Sequence, residues 1–195
     1  MALEHVNRRG DVYYVLQGKT KTGKPKYYAS KKNIGIPVES LPPEFEVFEH
    51  ADSAMVSIRK RKPSRILPQQ RDLLCDRIRE LTDLEFFRVD IDGDSLIVYV
   101  PDRNPNDVAS LLGGIFGQFG SSMSGLENWT ARHCRYSAEL KFTLTDASRQ
   151  RFSASRFCYR GSIDRWITLD TGKKLGVLAE MYLPHLGKES FFDLM

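Results

Sequence analysis

The sequence predicts an α+β fold built on antiparallel sheet, and three observations carry that prediction. Tyr136, Ala138, Leu140, Phe142 and Leu144 alternate strictly with polar residues, the period-two pattern of a strand with one buried face. Asp92-Gly93 separates two apolar runs, Phe86–Ile91 and Leu96–Val100, as in a tight hairpin. Val108, Leu111, Leu112, Ile115, Phe116 and Phe119 recur at helical spacing.

Taken in order, residues 1–10 are polar and expected to fray. Val12–Leu16 is an apolar run that reads as a strand. It leads into Gly18–Lys32, GKTKTGKPKYYASKK, with six lysines and no acid. Thr22-Gly23 is placed at a turn, where glycine supplies positive φ, and Lys26–Ser30 returns as the second strand. Asn33–Pro43 carries Gly35, Pro37, Pro42 and Pro43 and reads as a loop. Phe45–Phe48 and Ala54–Ile58 complete an expected four-stranded antiparallel sheet. The basic block Arg59-Lys60-Arg61-Lys62 followed by Pro63 is the expected boundary. Residues 1–62 would then form a small basic β unit and residues 63–195 an α+β domain.

Pro68 opens a helix with an apolar stripe at Leu74, Ile78 and Leu81. The Asp92-Gly93 hairpin follows, and Asn106 or Asp107 is the expected cap of the next helix. Gly113, Gly114 and Gly117 weaken that helix by up to about 1 kcal/mol each relative to alanine. Gly120–Arg132 reads as a long loop anchored by Trp129. The strand at 136–144 turns at Asp146–Gln150 and pairs with Phe152–Tyr159. Gly161-Ser162 breaks the partner, and Trp166-Ile167 is expected to pack on the sheet. Leu175, Leu178, Met181 and Tyr182 mark a last helix ending near Pro184, and a tail with Phe191, Phe192 and Leu194 is expected to dock. After the N-terminal unit the expected order is helix, hairpin, helix, hairpin, helix, with helices on one face of an antiparallel sheet.

The chain has 195 residues, 41% hydrophobic and 28% charged, which suits a folded protein that buries a core without metal or disulfide staples. Cys75, Cys134 and Cys158 are odd in number and widely spaced, as in a reducing compartment. No apolar run approaches the length of a membrane span, so the expectation is a cytoplasmic protein with no membrane partner. Residues 1–65 hold 13 basic and 7 acidic residues and the rest 16 and 18, so all of the net charge of +4 lies at the amino-terminal end. Such asymmetry suits a polyanionic partner.

The segments GKTKTGKPKYYASKK and HLGKESFFDLM, with RFCYRGSIDRWI between them, resemble a family of uncharacterised bacterial proteins. The resemblance spans most of the chain and implies a shared fold. It carries no established activity and no catalytic residue.

Several chemical motifs fail on inspection. Gly18, Gly23 and Lys24 match a phosphate-binding loop, but Pro25 stands where the magnesium-binding hydroxyl belongs and a strand follows instead of a helix. Asp90, Asp92 and Asp94 resemble a calcium loop, but Ser95 and Pro101 replace the required glycine and glutamate. His133-Cys134 has no second ligand pair for zinc. None of His5, His50, His133 and His185 sits in a nucleophile motif, so no catalytic residue, cofactor or metal site is assigned.

Three readings of function compete. In the first, Lys19, Lys21, Lys24, Lys26, Tyr28, Lys31, Lys32, Arg59, Lys60 and Arg61 form a surface for RNA or DNA. The cations neutralise phosphates and an exposed tyrosine stacks on a base. Alternation puts Lys24, Lys26 and Tyr28 on one face. In the second, the lysines are a solvated sheet edge paired with Glu39, Glu44, Glu46, Glu49 and Asp52. The protein would then meet a protein partner, or itself, through Leu111–Phe119 or Phe191-Phe192. In the third, an enzyme assembles its site from residues distant in sequence. The working expectation is a non-catalytic binding role.

Overall fold

The computed structural model describes residues 2–116, 123–160 and 163–194. Strand outweighs helix, at 40% against 26% of the chain. Contacts divide the molecule into two units, one of residues 1–61 with 103–135 and one of residues 62–102 with 136–195. The chain therefore passes between units three times, where the sequence suggested a single cut after Lys62.

The first unit begins with β1 (Glu4–Val6), β2 (Val12–Lys19), β3 (Pro25–Ser30) and β4 (Ile36–Pro37). β2 is central: β1 and β3 flank it antiparallel, and β4 pairs with it at Leu16 and Gln17. Its buried residues Tyr13, Val15 and Leu16 make it the apolar spine of the sheet. β5 (Phe45–Glu49) and β6 (Val56–Lys60) pair with each other in a separate two-stranded sheet. The expected four-stranded sheet of hairpin plus 45–58 does not form, because β1 and β4, both too short to read from periodicity, occupy positions beside β2.

The same unit contains α2 (Pro105–Phe116) and α3 (Met123–His133). Pro105 stands at the first helical position, and Asn104 Oδ1 accepts the Asn106 N–H at 3.0 Å. The cap is therefore Asn104, two residues before Asn106 and three before Asp107. The expected loop at Gly120–Arg132 is helical from Met123. Gly125 and the serines around it depress helix propensity, and the helix lacks a strong apolar stripe, so the pattern hid it. Trp129 does not anchor a loop; it is 52% exposed and stacks on His133 one turn away, with ring centroids 4.1 Å apart. Gly117, Phe119, Gly120 and the Gly161-Ser162 break lie outside the described residues.

Arg8 joins the parts of this unit. Its guanidinium donates to the carbonyls of His50 (3.1 Å) and Asp52 (3.3 Å) in the β5–β6 connection. It also donates to Arg132 (3.3 Å) and Cys134 (3.5 Å) at the end of α3. Its side chain is 7% exposed and meets Glu49 at 3.5 Å. A cation among the last carbonyls of a helix is favoured by their unsatisfied lone pairs and by the helix dipole. Beside it, buried Asn7 donates to Ala54 O at 2.8 Å and accepts from the Asp11 N–H at 2.8 Å.

The second unit is a five-stranded antiparallel sheet in the order β11-β10-β9-β8-β7, with α1 and α4 on its apolar face. Its elements are α1 (Pro68–Leu81), β7 (Arg88–Asp92), β8 (Ser95–Pro101), β9 (Tyr136–Asp146), β10 (Arg151–Arg160), β11 (Ile163–Lys173) and α4 (Leu175–Tyr182). Leu96, Val98, Leu140, Phe142, Phe152 and Ala154 face Leu74, Ile78, Leu178 and Leu183, and all are 1% exposed or less. Burial of each large side chain contributes roughly 1.5–3 kcal/mol. Short 3-10 turns at Leu183–His185 and Glu189–Phe191 bring Phe191 into this core, and Arg156 Nε donates to Leu194 O at 2.7 Å. Phe192 stays 64% exposed.

The helix-hairpin-helix-hairpin-helix order is thus incorrect. After Pro63 come α1, one hairpin, two consecutive helices, a three-stranded meander and α4. The expected second hairpin gains β11, paired with β10; the sequence hid it because Arg165, Thr168 and Asp170, interleaved with Trp166, Ile167 and Leu169, lack the clean alternation that marks β9. The Asp92-Gly93 turn is an ordinary hairpin turn, with Gly93 at φ +57°. Asp92 binds Lys62 at 2.8 Å, and Asp94 accepts from the Arg65 backbone N–H at 2.9 Å.

Replacing Arg8 with alanine removes its donors from four carbonyls and leaves Glu49 without this cation, and we expect a loss of about 3 kcal/mol in urea-induced unfolding. Arg8→Lys should recover only part of it, since one ammonium cannot reach carbonyls on both sides. Equal stability of the wild type and Arg8→Ala would show the contacts to be ornamental.

Candidate nucleic-acid interface

The lysine-rich segment forms the outer end of the β2–β3 ribbon. Lys19 pairs with Pro25 and Gly18 with Lys26. Thr20 N donates to Lys24 O at 2.8 Å, Thr20 Oγ1 accepts the Lys24 N–H at 3.0 Å, and Gly23 turns the chain at φ +80°. This hydrogen-bonded turn leads straight into a strand, which is why the phosphate-loop match has no helix to open. β1 reaches only as far as Tyr14 and β4 only as far as Gln17. From Gly18 to Lys26 the ribbon pairs with itself alone.

Lys19, Lys21, Lys24 and Lys26 are all on this tip and exposed. Among the described residues none of the four makes an ion pair. The register puts Lys19 on the face of Gln17 and Tyr27, and Lys26 on the face of Gly18 and Tyr28. Lys24 lies in the turn and not on the strand face expected for it. The tip cations therefore surround the ribbon and do not crowd a common flank.

The remaining predicted residues lie elsewhere. Lys31 and Lys32 sit beyond the far end of β3, about 17 Å of strand from Pro25. Lys31 pairs with Asp11 at 2.8 Å and lies over the Tyr13 ring. That contact, first through its hydrogen bond, holds the Asp11 carboxyl below its ordinary value and the Lys31 ammonium above its own. Arg59 on β6 is half-buried, bonded to Glu46 at 2.8 Å, with its guanidinium 3.5 Å from the Phe48 ring centre. Lys60 and Arg61 are exposed. Of the acids expected to neutralise the hairpin, Glu46 goes to Arg59 and Glu49 to Arg8 and His5.

Neither tyrosine is offered as a stacking platform. Tyr27 packs edge-on against Phe45, ring centres 5.2 Å apart. Tyr28 is half-buried and lies across two glycines. A Cβ at Gly18 would stand 3.4 Å from its ring, and one at Gly35, where φ is +147°, 2.9 Å from its hydroxyl. The sequence reading named Gly18 in the phosphate-loop match and Gly35 as a loop breaker, and missed that both make room for Tyr28. Comparison with known proteins finds no match to the chain among family models, curated sequences or solved structures. The functional reading rests on the geometry of the chain itself.

Away from the tip, the second unit holds a carboxyl with an unusual proton affinity. The β8–β9 register passes from Val98↔Leu140 to Tyr99↔Ala138, leaving Glu139 as the extra residue of a bulge. Burial, and secondarily the Asp102 charge, push its pKa up to about 7. Ser137 Oγ donates to Asp102 at 2.6 Å, and Tyr159 donates to Ala138 O at 3.2 Å. No metal cluster occurs among the described residues, and no described helix is long and apolar enough to cross a membrane. On the protein-partner side, Leu111 is 71% exposed, whereas Phe191 is buried.

Because Glu139 holds its proton more tightly folded than unfolded, unfolding releases that proton, and stability should fall as pH rises from about 4.5 to 7. Glu139→Gln should abolish that decline. At pH 8 it should raise stability by about 1–2 kcal/mol, less than the full shift implies because the side chain keeps some water. Urea titrations of both proteins at pH 5 and pH 8 test this; parallel pH dependence in the two would refute it.

Proposed function

We propose that the protein binds duplex nucleic acid electrostatically, by seating the lysine-tipped end of the β2–β3 ribbon in a groove. The observation that carries this reading is the set of four exposed lysines on a two-stranded tip, without a carboxylate partner among the described residues. An ion-paired solvated edge would look different: its ammonium groups would meet Glu39–Asp52, as the second reading required. Charge supports the reading as well. The unit that carries the ribbon holds 14 basic and 9 acidic residues, and the other unit 15 and 16.

A two-stranded ribbon fits the roughly 12 Å major groove of B-form DNA. Cations on both faces of the ribbon would then meet phosphates on both groove walls, so their spread around the tip suits a groove better than a flat surface. The deep, narrow major groove of A-form RNA admits side chains poorly, which favours DNA. Tyr27 and Tyr28 are engaged within the unit, so base stacking contributes little. Binding would be sequence-tolerant and dominated by counterion release.

Fluorescence anisotropy with labelled duplex DNA across a potassium chloride series checks this. Four phosphate contacts predict a slope of about −3.6 in log K against log salt. Lys24→Glu combined with Lys26→Glu should reduce the slope by about 2 and weaken binding at every salt concentration. Duplex RNA and single-stranded DNA should bind more weakly. An absence of binding at low salt, or a double variant that binds as the wild type does, eliminates the proposal.

A further inference from the structure

β11 is the last strand of its sheet. β10 pairs with one side of it, and among the described residues no strand lies on the other. The pairing runs regularly from Arg160↔Ile163 to Ser155↔Thr168, and Leu169 interrupts it only beyond that point. In an antiparallel ladder, alternate residues turn their N–H and C=O groups away from the partner strand. The closing pair of a hairpin exchanges its hydrogen bonds, so counting from Arg160↔Ile163 the outward residues of β11 are Asp164, Trp166 and Thr168. Among the described residues nothing takes up those backbone groups.

The opposite edge of the sheet is managed differently. β7 has only five residues, and Arg71 Nε donates to the Val89 carbonyl at 2.9 Å. A short strand and a covering charge are common means of keeping an edge from pairing with another chain. β11 has eleven residues and no proline. Its one large side chain on this stretch, Trp166, leans inward over the sheet. The ring meets Phe157 on β10, centres 5.1 Å apart, and Lys141 Nζ on β9 lies 4.3 Å from its centre. A ring turned inward leaves the outer edge of the backbone unshielded, and Asp164, Arg165 and Thr168 beside it are exposed.

We propose that two copies of the chain pair antiparallel through this edge, about a two-fold axis at Trp166, and join their sheets. Trp166 then stands opposite its own counterpart, Asp164 opposite the partner's Thr168, and Arg165 opposite the partner's Ile167. The outward groups of residues 164, 166 and 168 make about six interchain hydrogen bonds, and each Thr168 hydroxyl faces an Asp164 carboxylate. A two-fold axis keeps each face of the joined sheet continuous, so the register can slip only in steps that keep the faces matched. One such slip sets Arg165 against the partner's Arg165, which is repulsive. The slip the other way draws the Leu169 bulge into the ladder and breaks it. The self-complementary charges are what favour a second copy over the strand of another protein. The edge belongs to the second unit alone and does not depend on the ribbon reading.

Sedimentation equilibrium of the full chain from about 1 μM to about 1 mM tests the proposal. The mass should rise from 22.3 kDa toward twice that value. The paired surface is small, so the dissociation constant is expected on the order of 10–100 μM. Thr168→Asp sets two carboxylates against each other at both ends of the pairing and should weaken association about tenfold or more. Thr168→Lys sets an ammonium against each Asp164 and should tighten it several-fold at low salt. Both substitutions are at an exposed position, so the fold should survive them. Lys24→Glu with Lys26→Glu should leave the association unchanged, which separates it from the nucleic-acid reading. A monomer at every concentration overturns the proposal. So do effects of the same sign from Thr168→Asp and Thr168→Lys, or loss of the dimer on Leu111→Lys, which would place the interface on α2.

Discussion

The nearly buried guanidinium of Arg8 is the constraint on which the ribbon-bearing unit depends. It reaches backbone carbonyls at His50, Asp52, Arg132 and Cys134, positions contributed by segments far apart in the chain. Those carbonyls end a helix and line an irregular connection, where backbone donors are scarce, although the His50 carbonyl also accepts the Ala54 N–H at 2.8 Å. One planar, permanently charged group with several fixed donors meets that need; a lysine would not. Arg8 thus ties residues 132 and 134 to residues 50 and 52 within the unit formed by residues 1–61 and 103–135.

Around that anchor, the unit sorts its cations into two kinds. Arg8, Lys31 and Arg59 are committed to carboxylates, carbonyls or aromatic rings. Lys19, Lys21, Lys24 and Lys26 sit on the projecting end of the ribbon, beyond the reach of β1 and β4. Charge that is used internally adds little to an external field, whereas charge on a narrow tip is fully presented to a polyanion. In the second unit Lys62 and Arg65 are likewise tied, to Asp92 and Asp94.

Legibility followed periodicity. The strand at Tyr136–Leu144 and the apolar stripe of α1 repeat within a few residues, and the Asp92-Gly93 and Thr22-Gly23 turns are set by adjacent residues, so all could be read in place. α3 and β11 could not, because glycine and interleaved charge weaken their patterns and neighbours in space stabilise them. The ten residues picked out as a cationic surface were legible only as composition. Strand register then split Lys19 from Lys26, ion pairing withdrew Lys31 and Arg59, and two glycines took up Tyr28. The bond from Arg71 to the β7 edge gave no signal, since Arg71 looks like an ordinary polar residue until α1 is laid along that strand.

By itself the sequence determined the local elements with strong periods, the excess of positive charge toward the amino terminus, and the failure of the phosphate-loop and calcium motifs. Those properties depend on residues close together in the chain. Only the tertiary structure decided which strands pair, which cations remain unpaired and where Arg8 points. Those outcomes depend on hydrogen-bond and charge partners separated by tens of residues, and such partners are chosen by packing.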